Sequence, residues 1–145
     1  MFELVQPGEL YAYIPDERPD SIAALEARFA RLAAGAGDGD EVWRNWLAFD
    51  DGAPVAWLQA SIYRAARAAD VAWIVFPRYW RRGYGVATAA WMLGELARDG
   101  IDELRATIDP RNLASLRVAE KLGFARTGTL ESDVVVSLRI RQRVA

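Results

Sequence analysis

An apolar, strand-like run in the middle of the chain passes directly into a basic, glycine-containing turn and then into a helix-like run. The stretch covers residues 71–90 and reads VAWIVFPRYWRRGYGVATAA, with the apolar run ending at Pro77. Glycines let the backbone approach a ligand closely, and successive N–H groups and the positive end of a helix attract an anion. This order of features therefore predicts a turn that binds the phosphate of a ligand.

Two common phosphate-binding motifs do not fit this turn. A dinucleotide-binding fingerprint needs a third glycine, but none follows Gly83-x-Gly85 within three residues. A Walker-type loop needs Gly-Lys followed by Ser or Thr, and the only lysine in the chain is Lys121. Because Gly-x-Gly also occurs in plain tight turns, the interpretation depends on the rest of the chain.

The composition limits the chemistry that this chain can perform. At 145 residues, with 52% apolar and 26% charged residues, it is typical of one soluble globular domain. The net charge of −2 gives no electrostatic reason to expect a nucleic-acid partner. With no histidine and no cysteine, disulfides, thiolate nucleophiles, Ser-His-Asp chemistry and ordinary zinc sites are excluded. No apolar run is long enough for a membrane helix and the N-terminus lacks a signal-peptide pattern, so we expect a cytoplasmic protein without a membrane partner.

Hydrophobic periodicity and turn residues predict an α+β fold, an α/β sandwich. Three strands at 42–49, 54–63 and 70–76 form an antiparallel meander after a helix at 22–34. The order then changes to a helix at 84–98, a strand at 103–108, a helix at 113–122 and a final pair of strands at 124–130 and 134–140. Since a helix joins them, strands 70–76 and 103–108 are expected to be parallel neighbours in a mixed, mostly antiparallel sheet with flanking helices.

A second motif follows strand 103–108, where DPRNLAS at 109–115 opens the next helix and EKLGF at 120–124 closes it. Asn112 is a favourable N-cap and Gly123 a favourable residue just past the helix end. These roles account for both residues without any ligand, and Ser115 on the first turn is equally compatible with a surface hydroxyl.

Taken together and in this order, the two motifs resemble the GNAT N-acetyltransferase superfamily. The residues that carry the resemblance are PRYWRRGYGVAT at 77–88 and NLASLRVAEKLGFARTGTL at 112–130. The Tyr79-Trp80 pair and the Asn112-x-x-Ser115 spacing are most similar to the branch that includes ribosomal-protein N-terminal acetyltransferases. The resemblance implies one GNAT-like domain over 1–145 that lacks the usual first strand and helix, and it leaves a homodimer open.

The resemblance implies that acetyl-CoA is the cofactor. The turn at 81–86 is expected to bind the pyrophosphate through backbone amides. The strand at 73–75 is expected to bulge, to splay from its parallel neighbour and to pair with the pantetheine arm, as an added strand would. The implied cofactor-binding residues are Trp73, Ile74, Val75, Arg81, Arg82, Gly83, Tyr84, Gly85, Val86, Asn112 and Ser115.

The resemblance also implies direct acetyl transfer to a primary amine, which is either a protein or peptide N-terminus or a small molecule. The tyrosine that serves as general acid in many relatives is replaced by Ala119, so Ser115 is the candidate that protonates or orients the sulfur. A glutamate of some relatives is replaced by Thr107. Glu131 and Asp133 are the candidate bases, beside a water relay or an amine that arrives neutral.

Two further interpretations stay open. The residues Ala119 and Thr107, together with the short N-terminus, are compatible with a non-catalytic acyl-CoA-binding or regulatory module. Among the six tryptophans, core packing is the default expectation, but Trp46 and Trp57 are also candidates for the wall of an acceptor pocket.

Overall fold

A computed structural model describes residues 1–37, 39–129 and 136–141. Within these ranges the chain forms one six-stranded sheet with strand order β1-β2-β3-β4-β6-β5. Three α-helices flank it, which confirms the predicted α+β class with a mixed, mostly antiparallel sheet. The strands are β1 (Glu41–Asp50), β2 (Ala53–Tyr63), β3 (Ala68–Val75), β4 (Glu103–Ile108), β5 (Ala125–Thr129) and β6 (Val136–Arg141), and the helices are α1 (Ile22–Ala34), α2 (Tyr84–Arg98) and α3 (Leu113–Lys121).

Local signals place the helix ends where the sequence predicts them. Ser21 accepts a hydrogen bond from the N–H of Ala24 at 3.1 Å and so caps α1, which ends at Gly35 with a φ of 79°. Asn112 caps α3 in the same way, and Gly123 follows that helix with a φ of 87°. These side-chain acceptors satisfy N–H groups that the first turn of a helix leaves without partners.

The sheet carries a hydrophobic core on each face. Consecutive strand residues point to opposite faces, and accordingly Trp57 and Leu58 belong to different cores. The larger core lies under α2 and α3 and includes Leu58, Met92, Leu96, Leu104 and Phe124. The smaller core lies under α1 and the N-terminal segment and consists of Val5, Leu10, Leu25, Trp57 and Phe76.

The N-terminal segment, residues 1–21, is held against the smaller core without a strand or an α-helix. It contains two 3₁₀ turns, Phe2–Val5 and Gly8–Tyr11. The hydroxyl of Tyr11 donates to the carbonyl oxygen of Val5 at 2.8 Å, and the Gln6 amide donates to the Pro19 carbonyl oxygen at 3.0 Å. These bonds and the buried side chains fix the path of the segment toward the carboxyl end of β3.

The parallel strands β3 and β4 are neighbours, as predicted, but they pair only over residues 68–70 and 103–105. Beyond that point they separate, although β3 continues to Val75 and β4 to Ile108. The expected bulge in β3 is wrong, because the β2–β3 ladder keeps one register along its whole length. The splay therefore arises because β4 ends its pairing with β3, while β3 stays on β2.

Candidate active site

The separation of β3 from β4 leaves one edge of β3 without a strand partner among the described residues. The N–H of Phe76 donates to the carbonyl oxygen of Val55 at 3.1 Å. Backbone groups along an antiparallel strand alternate between the partner strand and the opposite edge. By this alternation, the backbone groups of Trp73 and Val75 point into the opening, whereas those of the residue between them face β2. One of these groups, the Val75 carbonyl oxygen, accepts a hydrogen bond from the Trp80 indole at 2.7 Å.

A cleft of about 480 Å³ occupies this opening. Its floor is the free edge of β3, and its sides come from the starts of α2 and α3 and from the N-terminal segment. Seven of the predicted cofactor-binding residues line it, namely Trp73, Ile74, Val75, Arg81, Gly85, Asn112 and Ser115. The site predicted from two distant sequence motifs is thus brought together in one cavity.

The glycine turn has a backbone conformation suited to an anion. Gly83 is the N-cap of α2, with a φ of 83° in the left-handed region, and no side chain caps the helix there. A left-handed residue followed by a helical one directs successive N–H groups into a shared concavity. Arg81 also has a positive φ, of 63°. The uncapped N–H groups and the positive end of α2 therefore face the same position.

Gly85 has a different role from Gly83. A Cβ atom at Gly85 would lie 3.1 Å from a methyl carbon of Val118 and 3.7 Å from one of Val75, whereas at Gly83 it would meet nothing within 4 Å. Gly85 thus allows the close packing of α2 on α3 and β3. Gly83 is required for its backbone conformation.

The remaining predicted residues of the turn, Arg82, Gly83, Tyr84 and Val86, lie outside the cleft lining. The Arg82 guanidinium lies over the Tyr79 ring at 5.7 Å. That ring packs edge-on against Tyr84 at 6.0 Å. The Tyr84 hydroxyl donates to Asp50 at the end of β1, and this hydrogen bond is the main cause of the raised pKa of Tyr84. Tyr84 accordingly ties the glycine turn to the meander.

At the start of α3, two predicted residues, Asn112 and Ser115, line the cleft. The Asn112 side-chain oxygen accepts from the N–H of Ser115 at 3.1 Å. This bond uses the amide oxygen, so the amide NH₂ is still available to donate. Ser115 is half-buried and lines both this cleft and the neighbouring cavity.

That second cavity, of about 290 Å³, continues the opening between the strands. It shares Tyr13, Ile14, Trp73, Ile74, Asn112 and Ser115 with the first cleft. Its other walls include Asp16 from the N-terminal segment, Gln59 and Ala72 from the meander, and Thr107 and Asp109 from the end of β4. Asn112 and Ser115 therefore lie at the junction of the two cavities.

An ion pair lies in the turn that precedes α3, beside this junction, and its arginine contacts the N-terminal segment. The Arg111 guanidinium contacts both carboxylate oxygens of Asp109, at 3.1 and 2.7 Å. These hydrogen bonds are the main reason that the pKa of Asp109 is lowered. Arg111 also lies over the ring of Tyr13 at 5.8 Å. Asp109 therefore holds the Arg111 guanidinium where it contacts Tyr13 of the N-terminal segment.

Other predicted candidates lie elsewhere. Glu131 and Asp133 fall outside the described residues. Ala119 is fully buried in the larger core, away from both cavities. The tryptophans Trp46 and Trp57, candidates for the wall of an acceptor pocket, do not line either cavity. Trp57 is buried against Phe29, and Trp46 packs on Trp91.

The N-terminal segment also lines the cavities, through Glu9, Tyr13 and Asp16, and no sequence motif predicts this contribution. Short 3₁₀ turns carry no periodic signal, and only the buried Val5 and Leu10 hint that the segment packs on the domain. Within the described ranges, no helix is long and apolar enough to cross a membrane, and no cluster of three or more acidic side chains could hold a metal ion.

Comparison with known proteins agrees with this architecture. The family model of the acetyltransferase (GNAT) domain matches residues 1–125, so the chain belongs to the GNAT acetyltransferase family, which uses acetyl-CoA. No protein of curated function matches the sequence significantly.

Similar solved structures share the fold at low sequence identity. RimJ from Mycobacterium smegmatis, in complex with CoA-disulfide, has a TM-score of 0.83 and 18% identity over 97% of this chain and 75% of that one. Spermidine N-acetyltransferase from Vibrio cholerae, with CoA and spermine, has a TM-score of 0.80 and 16% identity over 97% and 87%. The aminoglycoside acetyltransferase AAC(6′)-Ib, with coenzyme A, has a TM-score of 0.79 and 17% identity over 99% and 88%.

Proposed function

We propose that this protein is an acetyl-CoA-dependent N-acetyltransferase that transfers an acetyl group directly to a primary amine. The observation that carries the proposal is the continuous opening between β3 and β4. It has an anion-binding helix start near one end, a free strand edge along its floor, and a second cavity beyond Asn112 and Ser115. A long donor and a separate acceptor can therefore meet at one position.

The residues of the cleft fit acetyl-CoA. The N–H groups at the start of α2 would hold the pyrophosphate. The backbone groups of Trp73 and Val75 that face the opening would pair with the amides of the pantetheine arm as an additional strand. The Asn112 amide NH₂ lies at the junction and would contact the same arm. When bound, acetyl-CoA supplies an activated thioester.

The chain's own groups then account for most of what direct transfer requires. Alignment of the amine with the acetyl carbon and a backbone N–H aimed at the developing oxyanion provide proximity and charge stabilisation. In the net reaction the amine nitrogen bonds to the acetyl carbon, the C–S bond breaks, and the sulfur leaves as a thiol. Ser115, which lines both cavities, would protonate or orient that sulfur, directly or through water.

The group that accepts the amine proton and the identity of the amine acceptor are further parts of this proposal. Thr107 cannot take a proton near neutral pH, so a water relay, an amine that arrives neutral, or the predicted carboxylates Glu131 and Asp133 would serve. The second cavity is about the size of ten water molecules. This size favours a small amine or the end of a peptide, and likeness to the ribosomal-protein branch is compatible with the second.

Three further expectations from the sequence form part of this proposal. They are a single domain over 1–145, a cytoplasmic location, and a homodimer, which the sequence leaves open.

Calorimetric titration with acetyl-CoA and with free CoA tests the first half of the proposal. We expect micromolar binding that is lost in Gly83→Trp, because the side chain and the altered φ displace the N–H groups. Circular dichroism of the variant establishes that it remains folded. Absence of binding by the well-folded parent chain would refute the proposal.

A thiol-release assay with a panel of primary amines tests the second half. Ser115→Ala should lower kcat while leaving acetyl-CoA affinity nearly unchanged. Glu120→Gln, an exposed change on the same helix outside both cavities, is the matched control. Equal kcat values for Ser115→Ala and the parent would remove the proposed role of the hydroxyl.

The alternative is a non-catalytic acyl-CoA-binding or regulatory module. Two observations favour it: Ala119 is buried in the larger core, and Thr107 lines the second cavity in place of a carboxylate. This alternative expects CoA binding, sensitive to Gly83→Trp, without thiol release for any amine in the panel.

A further inference from the structure

The second cavity contains one acidic side chain that the described structure leaves without a counterion. The charged residues in its lining are Asp16 and Asp109. Asp109 is only 8% exposed and is bound to Arg111 at 2.7 Å. Asp16 is exposed on the N-terminal segment and forms no hydrogen bond or ion pair with any described residue. Its charge is therefore available to a ligand.

The arginines nearest to Asp16 in the sequence are engaged elsewhere. The Arg18 guanidinium donates to the carbonyl oxygen of Gln6 at 3.3 Å, and that of Arg28 donates to the carbonyl oxygen of Glu17. Both therefore bind the backbone of the N-terminal segment instead of the Asp16 carboxylate. Among the described residues, no ion pair with Asp16 would compete with a cation from outside the chain.

The rest of the cavity suits a short aliphatic chain. Apolar or small side chains form most of its walls, including Ile14, Pro15, Val71, Ala72 and Ile108. Methylene groups lose unfavourable contact with water against such walls. Ser115 and Asn112 lie at the junction with the cleft, where the reacting nitrogen has to be, and Asp16 belongs to the N-terminal segment that covers the cavity.

We propose, resting on the acetyltransferase function above, that Asp16 is a specificity-determining residue that selects acceptors with a second cationic group. The ligand class is the short aliphatic diamine. One nitrogen reaches the junction at Ser115 and is acetylated, the methylene chain lies along the apolar walls, and the distal ammonium lies against the Asp16 carboxylate. Asp109 does not take this role because Arg111 already neutralises it.

The test compares 1,4-diaminobutane with n-butylamine, which has the same chain length and a single nitrogen. In Asp16→Asn, KM for diaminobutane should rise about 1.5-fold to fivefold with little change in kcat, as expected for loss of one exposed ionic contact. KM for butylamine should stay unchanged. Glu17→Gln removes the same charge from the next residue, outside both cavities, and should alter neither KM.

A binding measurement supplies a second readout. Calorimetric titration of the CoA-saturated protein with diaminobutane should show weaker binding in Asp16→Asn by the same factor. If the parent does not prefer the diamine, or if Asp16→Asn changes both amines equally, the role of Asp16 is overturned while acetyl transfer stands. If acetyl-CoA does not bind the parent, the proposed function itself fails and this inference with it.

Discussion

Two glycines of α2 form a matched pair that tests the conformation of the phosphate turn. Gly83 caps the helix with a φ of 83°, whereas Gly94 lies within the helix. A Cβ atom would meet nothing within 4 Å at either position. Alanine at each site therefore changes the conformational preference of the backbone and leaves the packing alone.

The two substitutions should have opposite effects on the free energy of unfolding. For Gly83→Ala, a left-handed φ costs an L-residue about 1–2 kcal/mol, and the lower entropy of the unfolded chain offsets about 0.4–1 kcal/mol of it. We expect a net loss of about 0.5–1 kcal/mol. Gly94→Ala should gain about 0.8–1 kcal/mol from helix propensity. The difference corresponds to about 5 °C in Tm for a chain of this size.

Urea denaturation followed by tryptophan fluorescence, with calorimetric Tm values alongside, measures this difference. Gly83→Asn is the informative third variant, because asparagine adopts the left-handed region more readily and should lose less than alanine. The reasoning is refuted if Gly83→Ala unfolds at the same urea concentration as Gly94→Ala, since the turn would then not be left-handed in solution.

Three other perturbations have definite expected outcomes. Tyr84→Phe removes the hydrogen bond to Asp50 and should weaken acetyl-CoA binding about twofold to tenfold in calorimetry; an unchanged affinity would contradict this. Because Arg111 lowers the pKa of Asp109, the ion pair stabilises the fold at pH values above 3.8, the ordinary pKa of an aspartate, and this contribution is lost as the pH falls through the lowered pKa. The difference in urea midpoint between the parent and Arg111→Gln should therefore shrink on acidification. A difference that does not change with pH would contradict the assignment. Phe76→Ala should lower the free energy of unfolding, measured by urea denaturation, by about 3–5 kcal/mol because Phe76 is fully buried. Phe49→Ala, at a site 61% exposed, should lower it by under about 0.5 kcal/mol. Similar losses for both variants would place Phe76 at the surface.

Elements with strong local signals could be predicted from the sequence. The helices Ile22–Ala34 and Tyr84–Arg98 have the predicted ends because a capping serine, two positive-φ glycines and helical spacing of apolar residues all act within a few residues of the chain. The meander follows from Asp-Gly between apolar runs, and Asp51 and Gly52 do adopt positive φ values there.

Features that depend on long-range packing could not be predicted. The bond from Tyr84 to Asp50 joins residues 34 positions apart. The N-terminal segment reaches the cleft because Val5 and Leu10 are buried beside Trp57 in the smaller core. No periodic pattern encodes that path, so Asp16 could not be placed near Ser115 from spacing alone.

The location of the candidate site follows from the order of strands and helices around one short parallel ladder. Each of β3 and β4 is followed by a helix, α2 or α3, so both helices start at the carboxyl ends of their strands. Parallel strands present those ends at the same edge of the sheet, and helix starts carry positive partial charge. Because pairing stops after residues 70 and 105, the edge of β3 opens between these two helix starts. Buried backbone N–H and C=O groups need partners. Within the described part of the chain, a side chain reaches one of these groups, since the Trp80 indole donates to the Val75 carbonyl oxygen. A ligand with an anionic end and an amide-containing arm fits both requirements, which is why the same opening favours phosphate and pantetheine together.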